Sequence, residues 1–273
     1  MSNSTERGSA LIKAYSLVRR SGFLRTALGR RLFKSAYFIY KRYIEDDLRD
    51  LVLSYPALVG RGNVLDIGAN IGYTAAVLAR VAGPDRKVFA FEPEPFNFRI
   101  LQQTARQPEF EGRIVPLQLA VGTEVGTVNL WINDHHHADH RIATEEFHSA
   151  HPGSKEVRVS LTSIDSFLES KPGPVSFVKI DVQGYELAVC QGMQNTLRQN
   201  PDIAIVLEYM PSAMRELGFE PSDLIDFFAE RDFEVYQIHS RGKLSSGVPA
   251  NMKDSSYCDL LFSRRAIACG GEA

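Results

Sequence analysis

Cysteine is scarce in this chain: Cys190, Cys258 and Cys269 are the only three, widely spaced and odd in number. That excludes a disulfide framework and a CxxC metal knuckle, so reduced thiols are expected. No stretch approaches the run of about 18 apolar residues that a membrane-spanning helix needs. The opening MSNSTERGSALIK lacks the apolar core and small-residue cleavage site of a secretory leader, so a cytoplasmic protein is expected. Internal repeats and low-complexity segments are also missing.

What is present is an ordinary globular composition, 44% hydrophobic and 23% charged over 273 residues. This length suits one large α/β domain with an appendage. The net charge of -2 conceals an asymmetry, because residues 1–44 hold ten Lys and Arg against a single Glu. The chain therefore divides into a basic helical arm, residues 1–55, and an acidic main domain, residues 56–273. Apolar residues of the arm (Leu11, Tyr15, Val18, Phe23, then Leu28, Leu32, Phe33, Tyr37, Tyr40 and Ile44) fall at helical spacing among its basic ones. Such a helix packs on the main domain or on a second copy in a homodimer, or lies on an anionic membrane surface.

From Asn63 onward strand-like apolar runs alternate with helical segments, the pattern of a doubly wound, mostly parallel sheet covered on both faces. Seven strands are expected near 63–67, 87–91, 114–118, 175–180, 203–208, 233–238 and 257–262. Helices are expected near 72–82, 95–106, 185–199 and 221–231. Between the third and fourth strands an insertion, about 122–163, carries two further alternating segments, GTVNLWIND and EVRVSLTSID, and is expected to overhang the carboxyl end of the sheet.

The first strand runs into NVLDIGANIGYTAAVLA, which places a glycine turn at the carboxyl end of the sheet, where open α/β folds bind ligands. The pattern is DxGxNxG rather than the GxGxxG that admits a pyrophosphate, so a dinucleotide is disfavoured. The second strand, KVFAFEPEP, ends in Glu92, where a carboxylate can accept from both hydroxyls of a ribose. Together they point to a bound nucleoside.

With VLDIGANIGYTAAVLA, VFAFEPEP, PLQLAVG, SFVKIDVQGYE and IAIVLEYMP in this order, residues 60–262 resemble the FkbM-type S-adenosylmethionine-dependent methyltransferases. Gln183 departs from the Glu often found there, and DHR at 139–141 with DVQGYE resembles one branch of that family. The resemblance implies a Rossmann-like class I methyltransferase fold. It implies that Asp66, Gly68, Asn70 and Gly72 line the cofactor, with Glu92 on its ribose and Leu119 and Ala120 beside the adenine. It also implies O-methylation of a sugar, an oligosaccharide or a glycosylated natural product.

Methyl transfer to an alcohol needs alignment, and a group to take the hydroxyl proton or stabilise the developing alkoxide. Asp181 and Glu208, at the ends of the fourth and fifth strands, are the candidate catalytic carboxylates and could alternatively hold Mg²⁺. Gln183, Tyr185 and Glu186 follow on the same turn as candidate acceptor contacts, although Glu186 could instead serve a helix N-terminus.

Four of the seven histidines crowd positions 135–140. Zinc is disfavoured there, because consecutive side chains in an extended segment point in different directions. His140 is the expected base or acceptor-orienting group, since an imidazole titrating near neutral pH can take a proton, with Asp139 and Arg141 as acceptor contacts. The rival readings are a nucleic-acid or other small-molecule methyltransferase, and a non-catalytic module that binds cofactor or membrane. An acidic main domain without an NPPY-like motif argues against nucleic acid as a partner.

Overall fold

Five residues, NVLDI, form the central strand β1 (Asn63–Ile67), and four of them are fully buried because neighbours cover both faces. The computed structural model describes residues 46–60, 62–133, 140–249 and 256–268, together with 26, 29, 38 and 252. Most of the basic arm and His135, His136, His137 and Asp139 therefore lie outside the described residues.

Strands follow as β2 (Val88–Phe91), β3 (Ile114–Leu117), β4 (Ala120–Val121), β5 (Gly126–Trp131), β6 (Arg141–Ile142), β7 (Glu156–Thr162), β8 (Val175–Ile180), β9 (Ala204–Tyr209), β10 (Glu234–Ile238), β11 (Leu244–Ser246) and β12 (Cys258–Ser263). The main sheet has the order β11-β10-β12-β9-β8-β1-β2-β3. Strands β3, β2, β1, β8 and β9 are parallel, while β12 and β10 run antiparallel to their neighbours. The expected seven strands thus gain an eighth, the edge strand β11, whose three residues are too few to show a period. Chain order reverses between β1 and β8, so a crevice opens outside their carboxyl ends. The turns after these strands, residues 68–72 and 181–185, form its floor.

Helix Tyr73–Val81 begins at Gly72, which adopts φ 86° and lies so close to Leu101 Cδ1 that a Cβ would sit 2.7 Å from it. Helix Asp47–Ser54 buries Leu51 and Val52, and its Asp47 carboxylate accepts from the Arg241 N–H at 3.1 Å. Phe38, a described residue of the arm, meets Tyr73 edge to face with ring centroids 5.1 Å apart. None of the described helices is long and apolar enough to cross a membrane.

The insertion forms a second sheet, β4-β7-β5-β6. Strands β5 and β7 pair antiparallel over six residues, and Leu130, Ile142, Val159 and Leu161 make its small core. One side of this sheet forms a wall over the crevice.

Candidate functional site

At the end of β1 the chain turns through Gly68, at φ 78°, and Asn70, at φ 50°. The turn lies against the main chain at the end of β8, so closely that a Cβ on Gly68 would sit 1.8 Å from the Asp181 carbonyl oxygen. Only glycine fits that position. Asn is one of the few other residues that tolerates a left-handed backbone, and Asn70 uses it to point its N–H at Glu92.

Glu92 ends β2 and is only 5% exposed. Its Oε2 accepts the Asn70 N–H at 2.8 Å and its Oε1 the Glu94 N–H at 2.9 Å. Burial pushes this carboxyl up to about 8, against the pull of those two N–H donors. Two backbone donors fix its orientation, and each oxygen keeps a lone pair for a ligand hydroxyl.

Gly68, Asn70, Glu92, Leu119 and Ala120 line the cleft, joined by Phe91, Pro93 and Asn97, which the sequence reading missed. Phe91 and Pro93 flank Glu92 in the chain, and that adjacency was the available signal. Asp66 and Gly72 are corrections. Asp66 is fully buried beneath the turn, because β1 is covered on both faces, and Gly72 faces Leu101 and Thr104 rather than the cleft.

The opposite side is built from the turn after β8 and the wall of the second sheet: Asp181, Val182, Gln183 and Tyr185 with Leu130, His140 and Ile142. Gln183, at φ 56°, donates from Nε2 to Asp181 Oδ1 at 2.8 Å and to Glu208 Oε2 at 2.7 Å. The other Asp181 oxygen receives the Lys179 ammonium at 3.1 Å. Burial, with Asp181 and Glu186 nearby, raises the Glu208 carboxyl well above its ordinary range. Glu208 lies behind Gln183 rather than in the cleft, a correction to its expected contact with the reacting groups.

The Mg²⁺ expectation does not fit this donor set. An amide donor bridges the two carboxylates and an ammonium takes the remaining Asp181 oxygen, so a hard cation on Asp181 would have to compete with both donors. Among the described residues no group of three or more His, Cys, Asp or Glu is arranged to hold a metal.

Two acceptor contacts are also corrected. The fully buried Glu186 carboxylate accepts the N–H groups of Val182 and Gly184 at 3.0–3.2 Å and so shapes the turn itself. Arg141 lies between two cleft residues, His140 and Ile142, and strand alternation aims it the other way. There it pairs with Glu216 at 2.5 Å. Tyr185 stays in the cleft and rests edge to face on Phe219, centroids 5.6 Å apart.

His140 lines the cleft, and its Nδ1 accepts the Asn133 N–H at 3.1 Å. That bond fixes the tautomer: the neutral ring carries its proton on Nε2 and is a donor there. With that proton on Nε2, the acceptor-orienting role expected from the sequence would use an Nε2 donor, and the base role would need an unprotonated ring nitrogen.

A family model described as Methyltransferase FkbM domain matches residues 66–235. The hexuronic acid methyltransferase AglP of Haloferax volcanii is 30% identical over 203 residues, covering 73% of this chain and 69% of that protein. The methyltransferase sdnD of Sordaria araneosa is 24% identical over 205 residues, covering 66% of this chain and 77% of that protein. Among solved structures, methyltransferase FkbM from Methylobacillus flagellatus is 18% identical with a TM-score of 0.48; the match takes in 76% of this chain and 47% of the other, so this chain spans less than half of that one. The chain belongs to the FkbM methyltransferase family.

Proposed function

We propose that this methyltransferase moves the methyl group of S-adenosylmethionine to a hydroxyl of a sugar or of a glycosylated metabolite. The observation that carries the cofactor assignment is the Glu92 carboxylate, fixed by two backbone N–H groups at the edge of the glycine turn. Among the described residues no lysine or arginine lines the cleft, which suits a nucleoside bearing a sulfonium and no phosphates. The sugar assignment is supported by the hexuronic acid methyltransferase relative, and by a cleft that sets an aromatic ring, Tyr185, beside polar Asp181, Gln183 and His140.

When bound, S-adenosylmethionine supplies an electrophilic methyl on a neutral-leaving sulfur. Glu92 accepts from the ribose hydroxyls, and the Gly68 turn gives the nucleoside room. Asp181, which lines the cleft, would accept from the acceptor O–H and orient its oxygen for methylation. His140 donates from Nε2 to a neighbouring acceptor oxygen and fixes the sugar's rotation. With the cofactor bound, Asp181 would take the hydroxyl proton that the acceptor oxygen releases as it is methylated. The work is chiefly alignment, which suits a leaving group already activated by charge.

The test incubates the full chain with methyl-labelled S-adenosylmethionine and a panel of free and glycosylated hexoses and hexuronic acids. Label in an O-methyl ether of the sugar is expected. Label confined to non-carbohydrate acceptors, or no binding of the cofactor by the wild type, overturns the reading. With the labelled acceptor in hand, His140→Ala is expected to lower turnover about 100-fold, the scale of a misplaced acceptor, while leaving cofactor affinity unchanged. His140→Gln, which retains an N–H donor of similar reach, is expected to recover most of that loss. Equal inactivity of both variants would restore the base assignment.

A further inference from the structure

Lys179 belongs to none of the roles above, yet it stands at the junction of the two turns that make the cleft floor. It sits in the apolar run VSFVKI, and the parallel register sets it beside Asp66 of β1. Its ammonium donates to the Gly68 carbonyl at 3.2 Å and to Asp181 Oδ2 at 3.1 Å, and lies 3.8 Å from Asp66 Oδ1. The ammonium thus has one acceptor from the glycine turn and one from the acidic turn, and an ion-pair partner in the strand beneath them.

Asp66 needs that neighbour. It is fully buried, and the Lys179 ammonium and the Ala75 backbone N–H favour its charged form without either reaching a hydrogen bond of ordinary geometry. A buried carboxylate in this state is costly unless a countercharge is close. The ammonium itself does not line the cleft, so it acts through what it holds.

We propose that Lys179 is a positioning residue for the cofactor: it pins the Gly68 turn to the Asp181 turn and serves as the counter-ion of Asp66 beneath them. This rests on the reading of the cleft as a site for S-adenosylmethionine. The charged groups around it are Asp66 from β1, Asp181 after β8, Glu208 from β9 and, at longer range, Glu92 from β2. Burial lowers the basicity of Lys179, but Asp181 and Asp66 more than offset it and hold the ammonium charged. Asp66 is pushed up to about 6 by burial even with the ammonium beside it, so losing that cation would raise it further.

The experiment uses the full chain, calorimetry with S-adenosylmethionine at pH 7, and carboxyl ¹³C titration of aspartate-labelled protein assigned with Asp66→Asn and Asp181→Asn. Wild-type binding tests the cofactor reading separately. For Lys179→Met the expected result is affinity weakened at least about tenfold, with an aspartate carboxyl titrating about one pH unit or more higher. Lys179→Arg keeps a cation in place and is expected to stay within a few-fold of wild type in both readouts. If Lys179→Met does not fold, the neutral pair Asp66→Asn/Lys179→Met removes the orphaned charge, and the Asp181 titration alone is then expected to move upward. Unchanged affinity, or aspartate titrations identical to wild type, would overturn the proposal.

Discussion

Gly68→Ala is expected to raise the dissociation constant for S-adenosylmethionine by about 1,000-fold or more, equivalent to about 4 kcal/mol. Two causes add. An alanine held at φ 78° carries a left-handed penalty of about 1–2 kcal/mol. The larger cause is contact: the new methyl would lie 1.8 Å from the Asp181 carbonyl oxygen, and backbone cannot yield as a flexible side chain does. One turn must retreat by more than about 1 Å, which withdraws the Asn70 N–H from Glu92 and the Gly68 carbonyl from Lys179. Calorimetry and thermal unfolding on the same preparation check this. Near-wild-type affinity in a folded Gly68→Ala would sink the claim that close packing of the two turns builds the site.

How much of this could be read in advance depended on the length of each signal. Strands β1 and β8 fall on the expected residues because each is a buried apolar run bounded by turn residues. The expected helix at 185–199 is instead two, Glu186–Gln191 and Gln194–Gln199. The second starts where the Asp165 carboxylate, 30 residues away in sequence, accepts the N–H groups of Asn195 and Thr196 at 2.8–2.9 Å. A cap supplied from a distant segment leaves no local mark. Helices Glu145–Ala150, Ile164–Glu169 and Pro211–Glu216 have six residues each, under two turns, and show too little periodicity to be found.

The site was legible where chemistry and turn geometry coincide. Glu92 follows a strand and a fixed interval from a glycine turn, and both features survive in sequence. Which way a side chain points in a strand covered on both faces does not survive, because apolar residues lie on either side of it. This is why Asp66 could be taken for a cleft residue and Lys179 overlooked. The signal for Lys179 was the lone cation in VSFVKI followed two residues later by an acid, and it became meaningful only when the register put Asp66 beside it. Arg141 failed for the converse reason: strand alternation was available, but β6 is only two residues long.

At pH 8 and above, Glu92→Ala is expected to weaken S-adenosylmethionine binding by about 1,000-fold, because two charge-assisted hydrogen bonds to the ribose at about 2 kcal/mol each are lost. It also leaves the Asn70 and Glu94 N–H groups without their acceptor. Glu92→Gln rescues little, since a single amide oxygen cannot serve two backbone donors and a diol. The same carboxyl gives the binding a pH signature. Burial holds it near 8 in the free protein, so it is largely protonated at neutral pH, whereas a ribose diol donating to both oxygens favours the ionised form. Binding then releases a proton, and wild-type affinity should strengthen by up to about tenfold per pH unit as pH rises toward 8 and level off above it. For stability the sign is opposite. With the folded value raised above the ordinary 4.5, the free protein binds more protons than the unfolded chain across about pH 4.5–8 and loses stability as pH rises through that window. Calorimetry from pH 6 to 9 in buffers of different ionisation enthalpy, with parallel melting curves, reads both effects. A wild-type affinity independent of pH would show that Glu92 sheds no proton on binding and would sink this account.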